Sequence, residues 1–242
     1  MGDLLDLVTA AHGGLARWSS TKTVSAKVDI YGPTWGRKGQ ADLLGPCEVS
    51  ARTDRQHVTI RSEQSGYTIV FDGALDRVAV SSSSGQIVEI LDQPRQSMLK
   101  IEIAEPWTAA QVGYFSGYGM WSYLLEPYLF HLPGVLTREI DPWHERGETW
   151  RRLEVTFPES LATHQSTITY HFDSRTGLQR RMDYAPDVIR GRPGSHYTFE
   201  HRTWDGIPVP SQRRVVARNS DGCADHQKGL ILLDISSFRL DT

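Results

Sequence analysis

The residue types best suited to acid–base chemistry gather in the last third of the chain. Arg180-Arg181-Met182-Asp183-Tyr184 reads as a strand, with His164, His171, His196 and His201 on neighbouring predicted strands. A histidine beside a carboxylate forms an acid–base pair. A tyrosine hydroxyl such as that of Tyr184 or Tyr197 can orient a carbonyl. The catalytic set on this reading is His164, His201, Asp183 and Tyr184. The same residues also fit a plain cross-strand ion pair set among packing aromatics. His164 and His171 are seven positions apart, and His196 and His201 five. An odd spacing puts each pair on opposite faces of a regular strand, so neither makes a strand-borne metal site. No metal and no cofactor is expected.

Other motifs are excluded by spacing. The chain has no Gly-x-Ser-x-Gly elbow and no Walker A loop. Gly113, Gly117 and Gly119 follow a predicted helix start, not a strand, so they read as sites of close helix packing instead of a dinucleotide fingerprint. His144-Glu145 opens like a zinc-protease motif, but the second histidine is missing, and Pro142 and Gly147 oppose the helix it needs. Two cysteines, Cys47 and Cys223, build neither a disulfide framework nor a four-cysteine zinc site.

The elements that would position these groups follow from the hydrophobic pattern. Leu4, Leu7, Val8, Ala11, Leu15 and Trp18 recur at helical spacing, which predicts a helix over 3–18 with Asp3 as its cap. From Val24, β-branched and aromatic segments alternate with turn residues. Strands are expected at 24–31, 40–50, 54–63, 67–71, 76–80 and 86–91, a spacing that belongs to an antiparallel meander. Residues 94–103 and 107–130 are too densely apolar and too long for strands and read as helices, with Pro127 kinking or ending the second. Strands return at 148–157, 164–173, 178–184, 195–203, 212–218 and 229–239. The 242 residues carry no Gly/Ser-rich linker and no repeat, so one domain spanning 1–242 is expected. The fold class is α+β and mainly β: a large curved antiparallel sheet, an unclosed barrel, with helices packed against its concave face.

Alternation along 164–173, 178–184 and 196–203 implies one covered face and one wet face. The covered face mixes aromatics with polar groups, as ligand pockets do. Its expected ligand-binding residues are Tyr170, Phe172, Arg180, Met182, Tyr197 and Phe199, joined by Phe115 and Trp121 from the helical segment. The formal net charge of -3 is near balance, which argues against a dedicated nucleic-acid binder. No run of about 18 apolar residues exists to span a membrane as a helix. Met-Gly-Asp-Leu-Leu-Asp-Leu has no basic stretch followed by a long apolar one, so the expected location is cytoplasmic.

The layout of leading helix, meander, helices and second meander resembles the LolA/LolB/LppX-like group of lipoprotein carriers. That resemblance implies an unclosed antiparallel barrel whose hollow holds acyl chains. Ala11-His12-Gly13-Gly14-Leu15, Trp150-Arg151-Arg152-Leu153 before Phe157-Pro158, Thr163-His164, Arg181-Met182-Asp183-Tyr184, and Asp205-Gly206-Ile207-Pro208-Val209-Pro210 before Arg213-Arg214 are also similar to an uncharacterised bacterial family. That second likeness implies no activity. The leading expectation is binding or carrying of a hydrophobic small molecule or lipid between sheet and helices. The alternatives are a cofactor-free isomerase, cyclase or lyase acting on a hydrophobic substrate, and an interaction protein. Oligomeric state stays open.

Overall fold

The structure is a computed structural model that describes residues 3–242; Met1 and Gly2, where the expected domain span begins, lie outside the described residues. Asp3 caps the first helix, its carboxylate accepting the Leu5 amide at 2.9 Å. That helix, α1 (Leu4–Ala11), stops at two glycines, and a single turn, α2 (Leu15–Trp18), follows. The expected helix over 3–18 is therefore broken. Gly13 and Gly14 adopt φ of 96° and 78°, a region open to glycine and incompatible with a continuing helix.

The first meander comprises β1 (Thr23–Tyr31), β2 (Gly45–Arg52), β3 (His57–Ser62), β4 (Thr68–Asp72), β5 (Arg77–Ser81) and β6 (Ile87–Asp92). A short helix, α3 (Pro33–Arg37), is inserted between β1 and β2. Two helices follow, α4 (Pro94–Leu99) and α5 (Ala109–Leu125), and then a 3-10 turn over Tyr128–His131. The second meander is β7 (Leu136–Glu145), β8 (Glu148–Thr156), β9 (Thr167–Asp173), β10 (Gln179–Tyr184), β11 (Gly194–Trp204), β12 (Ile207–Arg218) and β13 (Ala224–Asp241).

All the strands form one 13-stranded sheet in the order β6-β5-β4-β3-β2-β1-β13-β12-β11-β10-β9-β8-β7. β1 and β13 pair antiparallel, from Thr23 opposite Asp241 to Tyr31 opposite Leu232, and this joins the two meanders. β6 and β7 remain as free edges, so the barrel is unclosed. The helical segment carries the chain from one edge to the other across the concave face.

Two expected elements shift, and one strand was not expected. The strand expected at 40–50 starts only at Gly45, because Pro33 opens α3 and a turn at Gly39 follows it. The segment expected to be helical over 107–130 divides. α5 ends at Leu125 and Glu126 turns extended (ψ 136°), as a residue before proline must. β7 has no counterpart among the expected strands. Leu-Thr-Arg-Glu-Ile-Asp-Pro-Trp-His-Glu lacks an apolar alternation, since an edge strand buries little, and Pro142 sits in a register slip between Ile140 and Trp143.

α5 is the centre of the core. Every residue from Ala110 to Leu125 is buried. A helix that is apolar all round must be covered all round. A capping box starts it: Gln111 N donates to Thr108 Oγ1 at 3.2 Å and Thr108 N donates to Gln111 Oε1 at 3.0 Å. Trp121 fixes it to the turn after β2, its Nε1 donating to the carbonyls of Arg52 and Arg55 at 2.8 and 3.0 Å. Gly113 and Gly117 let the helix backbone lie on β4 and β5. A Cβ on Gly113 would come within 2.5 Å of Ile69 Cγ2, and one on Gly117 within 2.6 Å of Phe71 Cβ.

A Gly→Ala change in a helix gains about 1 kcal/mol of propensity. Overpacking a filled core costs about 1–3 kcal/mol. Gly117→Ala and Gly113→Ala should therefore lower the thermal midpoint. Gly119→Ala, whose Cβ meets the Tyr123 ring at 3.5 Å, should leave it unchanged or raise it. Thermal unfolding followed by circular dichroism checks all three.

Candidate functional site

At one end of the concave face the helices leave the sheet uncovered. A cleft of about 760 Å3 opens there between α3, the ends of β12 and β13, and the loops at 101–107 and 186–194. Its inner wall is Trp107, Phe115, Tyr184, Val215, Leu230 and Ile231. A narrow extension of about 20 Å3 shares Phe115, Val215 and Ile231 with it and runs along α5 to Gly119 and Tyr123. The rim is charged, with Arg37, Lys38, Arg192, Lys228 and Glu102.

Behind Tyr184 lies a buried polar layer. The His164 ring stacks on Tyr184 at 4.0 Å and 7°. Its Nδ1 is hydrogen-bonded to the Tyr118 hydroxyl at 3.0 Å and its Nε2 to the Tyr123 hydroxyl at 2.7 Å. A neutral imidazole donates at one nitrogen and accepts at the other, so one tyrosine accepts and the other donates. Burial, with the nearby Arg95 charge, pushes the His164 pKa down to about 3. Next to it, Arg213 Nη1 and Nη2 both reach Glu126 Oε2 at 3.2 Å, and Nη2 donates to the Tyr123 carbonyl at 2.9 Å. Both partners of this pair are almost fully buried. Burial raises the Glu126 carboxyl while Arg213 opposes the rise. His196 is fully buried against the Tyr123 ring, centroids 4.7 Å apart, and neither ring nitrogen has a partner among the described residues.

The opposite face of the second meander is covered as well, which corrects the expectation of a wet face there. Arg181 is fully buried and grips Asp183 with two bonds, Nε to Oδ1 at 2.7 Å and Nη2 to Oδ2 at 2.8 Å. Arg181 Nη1 donates to Glu145 Oε2 at 2.7 Å, and His171 Nε2 and the Ser195 hydroxyl lie 3.1 and 2.9 Å from Asp183. Trp143, Trp150 and Tyr197 enclose the group. These hydrogen bonds and the Arg181 charge outweigh burial and hold the Asp183 carboxyl at about 2.

Of the expected catalytic set His164, His201, Asp183 and Tyr184, the structure joins His164 with Tyr184, while Asp183 pairs with His171; His164 lies in the loop before β9 and not on the expected strand. Asp183 points to the opposite face, because neighbours in a strand alternate. His201 faces His12 with ring centroids 6.4 Å apart, and burial lowers its pKa to about 3. Of the expected ligand-binding residues, Phe115 lines the cleft, and Tyr184, expected as a catalytic residue, lines it too. Tyr170 and Phe172 pack on Phe130 within the core, and Met182 is buried there too. Trp121 anchors α5. Arg180 is half-buried and spends its guanidinium on Glu148 and Asp173 at 3.0 and 3.6 Å. Tyr197 and Phe199 sit on the outer face, stacked at 6.1 Å, with Phe199 41% exposed. They were expected on the face that β11 in fact gives to His196 and Thr198. Sequence reasoning missed Lys38, Trp107, Arg192, Leu230 and Ile231, which come from loops and from the far end of the longest strand. Glu126 carried one usable signal, a lone acid inside an aromatic run.

Solved structures share this layout across the whole chain. A LolA superfamily protein from Nitrosomonas europaea aligns with a TM-score of 0.53 at 10% identity, covering 99% of this chain and 92% of that one. A DUF1329 family protein from Desulfovibrio piger aligns at 0.54 and 12%, covering 99% and 92%. A putative outer membrane lipoprotein-sorting protein domain from Vibrio parahaemolyticus aligns at 0.53 and 7%, covering 98% and 92%. The fold is LolA-like. No family model matches the sequence, and no curated protein matches it. At these identities the likeness establishes the fold, and the chemistry of the site has to be read from its own side chains.

In this LolA-like sheet the titratable groups behind Tyr184 are held neutral or paired, and burial is the main cause. His12, His164 and His201 have folded pKa values near 4, 3 and 3, against about 6.5 in an unfolded chain. Between pH 6.5 and about 4 the unfolded state takes up protons that the folded state refuses, so stability must fall as pH drops through that window. Urea unfolding should give a lower stability at pH 5 than at pH 7, and His164→Gln should shrink the difference. On the other face, Asp183→Ala leaves Arg181 buried beside Glu145 alone and should cost about 3–5 kcal/mol. The same urea titration at pH 7 measures that loss.

Proposed function

We propose that this protein binds or carries a hydrophobic small molecule or lipid in the cleft between sheet and helices. The observation that carries the reading is the cleft itself. Its volume of about 760 Å3 lies within the range of about 300–1,000 Å3 typical of small-molecule sites. Its inner wall is aromatic and aliphatic. It sits on strands and on α5, whose close packing holds the wall rigid, so the apolar surface is presented without first being ordered. The titratable groups argue in the same direction. Asp183 and His201 are apart from His164 and Tyr184, and both His164 nitrogens are already engaged by buried tyrosines. The set proposed for a cofactor-free acid–base enzyme does not converge on the cleft.

The test uses an uncharged fluorescent probe, N-phenyl-1-naphthylamine, with native mass spectrometry of the purified protein. The probe should bind with one site per chain. Ala217 lies in the wall and is only partly buried, so Ala217→Trp fills the cleft from its edge. That substitution should weaken the probe by at least about tenfold, or about 1.4 kcal/mol. A cooperative unfolding transition in the variant confirms that the fold is kept. Absence of probe binding to the wild type, together with a bare mass, would remove the reading.

A further inference from the structure

We propose that the ligand of this cleft is an anionic amphiphile, with its apolar body against Trp107, Phe115 and Leu230 and a carboxylate or phosphate head among Lys38, Arg37 and Arg192. The proposal rests on the function proposed above and specifies the head group.

Three observations lead to it. Lys38 lines the cleft although it is only 7% exposed. Its Nζ donates to the carbonyls of Ile103 and Glu105 and lies 4.7 Å from the centroid of the Trp107 ring. An ammonium has three donors, so these two carbonyls leave one unspent. No carboxylate forms an ion pair with it among the described residues, and a buried cation without an opposite charge is costly.

Arg37 and Arg192 stand at the same rim, exposed, and neither makes an ion pair or a side-chain hydrogen bond among the described residues. Burial and then the Arg192 charge lower the Lys38 pKa, against a smaller opposing effect of Glu105, so Lys38 and Arg192 lie within electrostatic reach of each other. Like charges held together destabilise the empty state, and an anion relieves them.

The acid of the rim is already engaged. Glu102 is paired with Arg190 at 2.9 Å. The fourth cation, Lys228, is paired with Asp225 at 2.7 Å. Charge is therefore missing at Lys38, Arg37 and Arg192 and balanced elsewhere around the opening. Below these three groups the wall is apolar down to Phe115, which divides the site into a cationic mouth and an apolar floor. A neutral hydrocarbon fills only the floor. An anion on a chain fills both.

The experiment compares dodecanol, dodecanoate and dodecyl phosphate, one chain with three heads, as competitors of N-phenyl-1-naphthylamine below their micellar concentrations. Dodecanoate, dodecyl phosphate or both should displace the probe at about tenfold lower concentration than dodecanol in low salt. The advantage should shrink in high salt, because rim charges are screened. Which of the two anions competes better identifies the head. The double variant R37Q/R192Q should bring the anions to the level of dodecanol and leave dodecanol itself unchanged. Lys38→Met should do the same, but Lys38 also holds the 103–105 backbone, so the arginine pair is the primary variant. If dodecanol and the anions compete equally, or if the anion advantage survives in the double variant, the head-group proposal is overturned while the cleft reading stands. If no dodecyl compound competes and the probe does not bind, both fall.

Discussion

A wide antiparallel sheet that curls without closing must fill its own concave face, and one buried helix does most of that work here. α5 is apolar on every side, so it is stable only inside the curl, and the curl has a core only because α5 is there. The contact is close because Gly113 and Gly117 remove the side chains that would hold the helix off Ile69 and Phe71. Burying an aromatic such as Tyr114 or Trp121 removes on the order of 150–250 Å2 from water. No polar network in the molecule approaches the sum of such terms along this helix. The cleft is a consequence of the same geometry. α5 contacts β2 to β6, so it fills the first meander's half of the curl. The 3-10 turn after it packs Phe130 on β9, deep in the second half. Between those two fillings, at the ends of β12 and β13, the helix against the sheet is the short α3, and the cleft opens beside it.

The second meander solves a different problem. Between β10 and β12 it carries buried charges on both faces of the sheet. On the concave side Arg213 faces Glu126, and on the outer side Arg181 faces Asp183 and Glu145. Burying charge in this way contributes little net stability, because desolvation offsets most of the attraction. What it does enforce is register. Arg181 has partners on β7, on β10 itself and in the turn after β12. A one-residue slip in any of these strands would leave a buried guanidinium facing aliphatic side chains.

The overall class was legible in the sequence for a simple reason. Strand segments such as Thr167–Asp173 alternate or run apolar over short lengths, while 107–130 is apolar over a length that only a helix can use. The cap at Asp3 and the stop before Pro127 are local chemistry and could be read locally. β7 was not legible, because a sheet edge needs no apolar face. The second buried face was not legible either. Arg181 and Asp183 look like exposed polar alternation unless one knows that Trp143, Trp150 and the 219–222 turn close over them. The site failed for the same reason at a larger scale. Phe115 and Tyr184 could be guessed as aromatics on a covered face. Lys38, Arg192 and Leu230 meet only because β13 is long enough to bring residue 230 beside α3, which places distant loops at one rim.

Perturbed titration is often used to find functional sites, and here it would point to the wrong place. Strong shifts belong to His164, His196 and the tyrosines around them, and desolvation is the first cause in each. Burial by itself shifts a pKa without giving the group any chemistry to do. A catalytic one also needs a route for substrate and a partner that changes charge with it. His164 has neither, since Tyr184 stands between it and the cleft and its two nitrogens are saturated. The rim shows the reverse pattern. Arg37 and Arg192 are exposed and permanently charged, and neither has an ion-pair partner among the described residues. For a hollow sheet that presents apolar surface at one opening, unmatched fixed charge at that opening is a better indicator of function than a shifted pKa inside. A buried perturbed group is explained by the fold around it, whereas an unmatched charge at the mouth is free to meet the proposed ligand.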